Sequence, residues 1–257
     1  MPDQVFQLTE AERVLTTQEV GDGRAKNVSY DPTSGRLGGA DADAATSAHL
    51  AALLDRFGIW ARGLIADRFV RYGPRLMLGR ASYRSRCVED APASLRKDDR
   101  RLHIDAFTSQ PVAGRRILRV FSNIDVAGAP RIWAIGEPFE DYARRFAGRA
   151  RSLLPGEAAA LQALKITRSR RTPYDQLMLQ LHDLAKLDDA YQASAPRRRL
   201  SFGPGATWVV FSDQLPHAAL KGRFALEQTF YLPVDALADP ETSPLRILER
   251  LRGRKLV

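Results

Sequence analysis

Two hydrophobic periods alternate along the chain. From Ala45 to about Asp67, Leu50, Leu53, Leu54, Phe57, Trp60 and Leu64 recur three or four residues apart, which predicts an amphipathic helix packed on a sheet with His49 on its surface. Tyr72-Gly73-Pro74 ends that pattern, and the period shortens to two. Strands are expected at 75–84, 115–124, 130–136, 199–202, 207–212 and 223–232, in apolar and β-branched runs punctuated by turns such as Gly203-Pro204-Gly205. Helical spacing returns at about 137–151, 156–165 and 173–192. The last of these carries a stripe of Leu177, Leu181, Leu184 and Leu187, with His182 beside it as a surface or helix-contact residue. Residues 1 to about 45 read as irregular covering segments, rich in Gly, Asp and Ser. Ser243-Pro244-Leu245 caps a basic, peripheral helix to about Arg252. The expectation is one mostly β domain over 1–257, with a core at about 70–235, a helical insertion at about 137–192 and peripheral terminal segments.

One stretch, Arg100 to Phe107, organises the chemistry. Residues i and i+2 of a strand project from the same face, so His103 and Asp105 can converge on one atom while Leu102 and Ile104 pack behind them. An H-x-D triplet alone is common by chance. The chain has four histidines, however: His49 and His182 fall in helical stretches, while His103 and His217 both end strand-like runs. Together His103, Asp105 and His217 make a two-histidine, one-carboxylate face with positions left open for a co-substrate and oxygen, the arrangement of non-haem Fe(II) oxygenases. Arg119 is anomalous in the middle of an apolar strand, where a guanidinium is costly unless it meets an anion. By alternation it shares a face with Ile117, Phe121 and Asn123; if that face lines the cavity holding His103 and Asp105, Arg119 is placed first to clamp a dicarboxylate co-substrate, and if not it is a surface arginine with a snorkelling stem. Arg223, at the head of the last strand, is the second candidate. Asp98 and Asp99 read as a solvated charge cluster unless they prove to lie beside the metal.

The net charge of +9 and a pI near 10.0 imply a surface that attracts polyanions. The arginines are spread along the chain and no nucleic-acid recognition module is present, so no nucleic acid is expected as a partner. Arg168, Arg170 and Arg171 form a local basic patch, a solvated turn unless it rims a cleft. A single cysteine, Cys87, excludes an internal disulfide and reads as a buried, inert thiol. The N-terminus lacks the pattern of a signal peptide and no apolar run is long enough to span a bilayer, which points to the cytoplasm.

The order His103-x-Asp105, an arginine-bearing strand, a variable insertion, then Phe211 to His217 and Gly222-Arg223-Phe224-Ala225-Leu226 resembles the Fe(II)/2-oxoglutarate-dependent dioxygenases. Within them, residues 96–107, 114–121 and 225–230 look like the bacterial Kdo 3-hydroxylases, over roughly 70–235. The resemblance implies a double-stranded β-helix, a jelly-roll, cupin-like core flanked by helices. It further implies Fe(II) held by His103, Asp105 and His217, with 2-oxoglutarate and O2 as co-substrates and succinate and carbon dioxide as products. The substrate would be the 3-deoxy-octulosonic acid (Kdo) sugar of lipopolysaccharide inner core or a Kdo-lipid A precursor. That is an anionic glycolipid, met at the inner face of the cytoplasmic membrane, where a basic enzyme is held peripherally. The wider superfamily often places its 2-oxoglutarate-binding Arg or Lys about ten residues after the distal histidine. Here Glu227 and Gln228 stand there instead. The competing readings are a cupin-like metalloenzyme of other chemistry, which would release no succinate, and a basic β-sandwich binding anionic glycolipid or nucleic acid, which would need no metal.

Overall fold

In the computed structural model, which describes residues 4–17, 19–90 and 94–257, the elements follow in the order α1 (Glu10–Arg13), β1 (Val28–Asp31), β2 (Arg36–Gly38), α2 (Ala44–Arg68), β3 (Met77–Arg84), β4 (Arg116–Asn123), β5 (Arg131–Ile135), α3 (Phe139–Ala147), α4 (Glu157–Ala163), α5 (Pro173–Leu187), α6 (Asp189–Ser194), β6 (Arg198–Phe202), β7 (Thr207–Phe211), β8 (His217–Lys221), β9 (Ala225–Leu232) and α7 (Pro244–Arg252). Among these residues the strands form a six-stranded sheet, β2-β1-β3-β9-β4-β7, and a three-stranded sheet, β6-β5-β8, every pair antiparallel. The protein is thus mostly antiparallel sheet with several helices. Residues 91–93, shortly before the Asp98-Asp99 charge cluster, lie outside the described residues, as do residues 1–3 and 18.

Alternation along the strands sorts side chains into layers. On β3, β4 and β9, Ala81, Tyr83, Leu118, Val120, Leu226 and Phe230 face α2 and its buried Leu50, Leu53, Leu54, Phe57, Ala61 and Ile65. Asp43 caps that helix by accepting from the Thr46 amide at 2.8 Å. At Gly58 a Cβ would stand 2.8 Å from the Gln228 Oε1, so glycine lets the helix approach β9. Both β4 and β9 are buried along their whole length, because the other sheet covers their second face.

The three-stranded sheet is covered on its outer side by α3, α5 and α7. Ala134 and Ala218, together with Leu102 and Ile104, pack there among Tyr142, Phe146, Leu181, Ala185 and Leu248. The C-terminal helix expected to be peripheral is therefore part of this core: Leu245, Leu248 and Leu256 are all buried. Between the sheets lies a small aromatic cluster of Phe121, Trp133 and Trp208 with Ala219. Two further expectations change. His217 begins β8 rather than ending a hairpin, because Pro216 interrupts the chain just before it and the small Ala218-Ala219 gives no β-branched signal. The segment bearing His103 is extended but is no regular strand: it joins β8 by one antiparallel bridge, His103 to His217.

Candidate metal centre

That bridge sets the geometry of the site. His103 N–H donates to the His217 carbonyl at 3.0 Å and His217 N–H to the His103 carbonyl at 2.8 Å, fixing the two imidazoles side by side with ring centroids 4.7 Å apart. Asp105 N–H then donates to the Ser212 carbonyl at 2.8 Å, which turns the carboxylate toward the same point. One ligand atom from each of His103, Asp105 and His217 lies within 4.8 Å of the others.

The tautomers follow from backbone contacts. Nδ1 of His103 is 2.7 Å from the Arg101 carbonyl and Nδ1 of His217 is 2.8 Å from the Leu215 carbonyl. A carbonyl only accepts, so each Nδ1 carries the proton and each Nε2 presents a lone pair, the orientation that metal-bound histidines adopt. Burial lowers the pKa of both imidazoles, and for His103 the neighbouring His217 and Lys186 lower it further; both are neutral near pH 7. Burial would raise the carboxyl of Asp105, but the Arg119 guanidinium outweighs it and holds the group ionised, below the usual range. Two neutral imidazoles and a carboxylate with free lone pairs fit a divalent ion with preference for N and O donors.

Around this face the sheets supply an unusual density of charge. Arg119 Nη1 lies 3.1 Å from Asp105 Oδ2 and 3.1 Å from Glu227 Oε1, while Arg84 pairs with the other oxygen of Glu227 and reaches Asp99 at 3.6 Å. Asp99 also pairs with Lys26 and, at 3.4 Å, with Lys186, and its carboxylate is 3.7 Å from His103 Nε2. Asp99 is thus beside the metal face, not in a solvated cluster. A cavity of about 300 Å³ joins these groups, and Phe107, Phe121 and Trp133 are part of its lining. Trp133 stacks on His217 with centroids 5.1 Å apart and 14° between the planes.

Arg131, the first residue of β5, differs from the other cavity cations. It is 2% exposed and makes no ion pair among the described residues; its Nε has no partner, and its Nη1 donates to the Gly222 carbonyl at 3.4 Å. Burial and the neighbouring Arg84 pull its pKa down to about 10. Asp99, Glu227 and Glu89 oppose this shift only in part, so Arg131 keeps unpaired donor capacity in the cavity wall.

The model of the family described as 3-deoxy-D-manno-oct-2-ulosonic acid (Kdo) hydroxylase matches residues 1–255. The chain belongs to the Kdo hydroxylase family. Three solved structures of the Kdo hydroxylase KdoO, a non-haem Fe(II) α-ketoglutarate-dependent dioxygenase, are similar to it over 100% of this chain and 86% of theirs. The cobalt(II) complex is 43% identical with a TM-score of 0.95. The complex with α-ketoglutarate and Fe(III) is 42% identical with a TM-score of 0.93, and that with succinate and Fe(III) 42% with 0.94. No curated protein matches.

In this Kdo hydroxylase, the remaining sequence candidates disperse. Arg223 lies outside the cavity: its guanidinium stacks over Phe224 and is 3.8 Å from Asp125. Arg171 is buried and donates to the Thr108 carbonyl at 2.7 Å and to Gln176 at 3.1 Å, a structural role, whereas Arg168 and Arg170 are exposed. His182, expected at a helix surface, lines the cavity 5.4 Å from the His103 ring. Cys87 is half-buried and its thiol donates to Glu89 at 3.0 Å.

Proposed function

We propose that this chain is an Fe(II)/2-oxoglutarate-dependent dioxygenase that hydroxylates Kdo in an anionic glycolipid, the whole of 1–257 acting as one domain on a double-stranded β-helix core. The observation that carries the reading is the convergence of His103, Asp105 and His217 at the end of a cavity between two sheets, in a chain belonging to the Kdo hydroxylase family. Fe(II) bound by these three would supply dioxygen activation coupled to the decarboxylation of 2-oxoglutarate.

The chain's own residues bind, orient and exclude water. Arg119 already faces two carboxylates, so its charge is compensated without a ligand; it holds Asp105 in place, as groups behind a metal ligand do. This departs from the expectation that Arg119 clamps the co-substrate. Arg131 suits that task better, being buried and unpaired. It shares a face of β5 with Trp133, roughly 7 Å along the strand from the residue stacked on His217, a span suited to a five-carbon diacid. The fork of its guanidinium can take both oxygens of the distal carboxylate. Phe107, Phe121 and Trp133 keep water from the reacting end. The basic surface supports attachment at the cytoplasmic membrane face; among the described residues no helix is long and apolar enough to cross a membrane.

The test is incubation of the purified enzyme with Fe(II), 2-oxoglutarate, oxygen and a Kdo-bearing lipid. The expected result is a lipid heavier by one oxygen on the Kdo ring, with succinate in matching amount. Succinate that never depends on the Kdo lipid, or none at all, would contradict the reading.

A further inference from the structure

A second cavity, of about 630 Å³, adjoins the metal cavity, and the two share Lys26, Asn27, Arg84, Lys97, Asp99 and Arg131 in their walls. The metal cavity has about half that volume and must already take the co-substrate, so the acceptor has to extend outward through this junction.

The outer wall is basic, and its acidic groups are matched within the protein. Asp98 accepts from the Arg100 guanidinium at 2.8 and 3.0 Å, and Asp99 is surrounded by Lys26, Lys186 and Arg84. Arg86, by contrast, reaches only Glu19 at 3.9 Å, while Arg24 and Lys97 make no ion pair among the described residues. Cations without counter-ions around a concave surface concentrate anions there. The composition of the wall narrows the ligand further. Among the described residues the wall holds no aromatic ring on which a base or sugar could stack, and Val88 is the only large aliphatic side chain there, so the wall suits an oxyanion better than a nucleobase or an acyl chain.

We infer that this outer cavity is a subsite for a second oxyanion on the acceptor, a carboxylate or phosphate on the group adjoining the reacting sugar acid, recognised by Arg24, Arg86 and Lys97. The inference rests on the proposed Kdo hydroxylation for the identity of the reacting sugar. An acceptor carrying only the carboxylate of the reacting sugar would leave Arg24 and Lys97 uncompensated and Arg86 with Glu19 alone at 3.9 Å. A dianionic acceptor would engage both sets at once, and the outer set would act on affinity and specificity more than on the chemical step.

The experiment measures equilibrium binding of three probes to the Co(II)-loaded enzyme: the methyl glycoside of Kdo, a Kdo disaccharide, and a Kdo glycoside with a phosphate monoester on the adjoining sugar. The enzyme should bind at least one of the two dianionic probes about tenfold more tightly than the methyl glycoside, a ratio in keeping with a few partly exposed ion pairs. Which probe is favoured assigns the oxyanion as carboxylate or phosphate. Arg24→Glu/Lys97→Glu, at two exposed positions, should abolish that preference, and Arg254→Glu/Lys255→Glu on the tail should retain it. Equal affinity for all three probes, or a preference that survives in Arg24→Glu/Lys97→Glu, would overturn the subsite. A preference in binding without hydroxylation of any probe would instead sink the proposed reaction and leave the subsite standing.

Discussion

Arg119 and Arg131 show how far a single side chain can be read from sequence. An arginine amid apolar strand residues announces itself, and Arg119 does reach the cavity. Its pairing with Glu227 was invisible, because that carboxylate arrives from β9, far along the chain. Arg131, at the start of a strand next to Pro130, looks like an exposed strand end, and only the packing of β8 and the Gly222 turn buries it. His103, Asp105 and His217 were legible because their types and strand-end positions are informative without any knowledge of contacts, whereas His182 and Asp99 read as surface groups. The two arginines should separate in kinetics. Arg131→Ala should raise the 2-oxoglutarate concentration needed for succinate formation by about two to three orders of magnitude, since truncating one member of a buried charge pair costs about 3–5 kcal/mol. Arg131→Lys should recover only part of that, because it lacks the planar fork. Arg119→Ala should instead weaken metal affinity through a loosened Asp105. A large 2-oxoglutarate defect in Arg119→Ala with little in Arg131→Ala would return the clamp to Arg119.

At the scale of elements, strongly periodic segments were readable. The 25-residue helix α2 and strands β3, β4, β5, β7 and β9 fall where alternation and turn residues put them. Short pieces whose pairing is decided by neighbours were not. The strands β1 and β2 hold only four and three residues, and β8 is built on two alanines. The C-terminal helix looked peripheral because its charged face dominates its composition, yet Leu245 and Leu248 face the core shared with α3 and α5. Leu248→Ala should therefore destabilise the fold by about 2–5 kcal/mol, as for other fully buried leucines. Thermal or urea unfolding measures this directly, and an unchanged midpoint would make the helix dispensable after all. The β7–β8 connection before His217 is pinned in another way that local sequence conceals: Arg116 donates to the buried Asp213 at 2.8 and 3.1 Å and to the half-buried Gln214 at 2.7 Å.

For the whole molecule, charge and layering meet at the active cavity. Two sheets bring the candidate metal ligands and Arg131 from the three-stranded side opposite Arg84 and Arg119 from the six-stranded side, and the surplus of basic groups continues onto the surface. Binding to anionic vesicles should weaken steadily as salt shortens the screening length from about 10 Å at 0.1 M. Arg168→Glu/Arg170→Glu should lower it further in low salt; Arg171 is left unchanged because its guanidinium holds the Thr108 and Gln176 contacts. Vesicle binding indifferent to both salt and these changes would confine the role of the charge to the cavity. The central claim is that His103, Asp105 and His217 hold the metal on which turnover depends, and it is tested most directly by titrating Co(II) into the wild type and the three single alanine variants alongside Fe(II)-dependent succinate formation. Each variant should stay folded, lose metal affinity and form no succinate; one that binds metal and turns over like the wild type would remove that residue from the site.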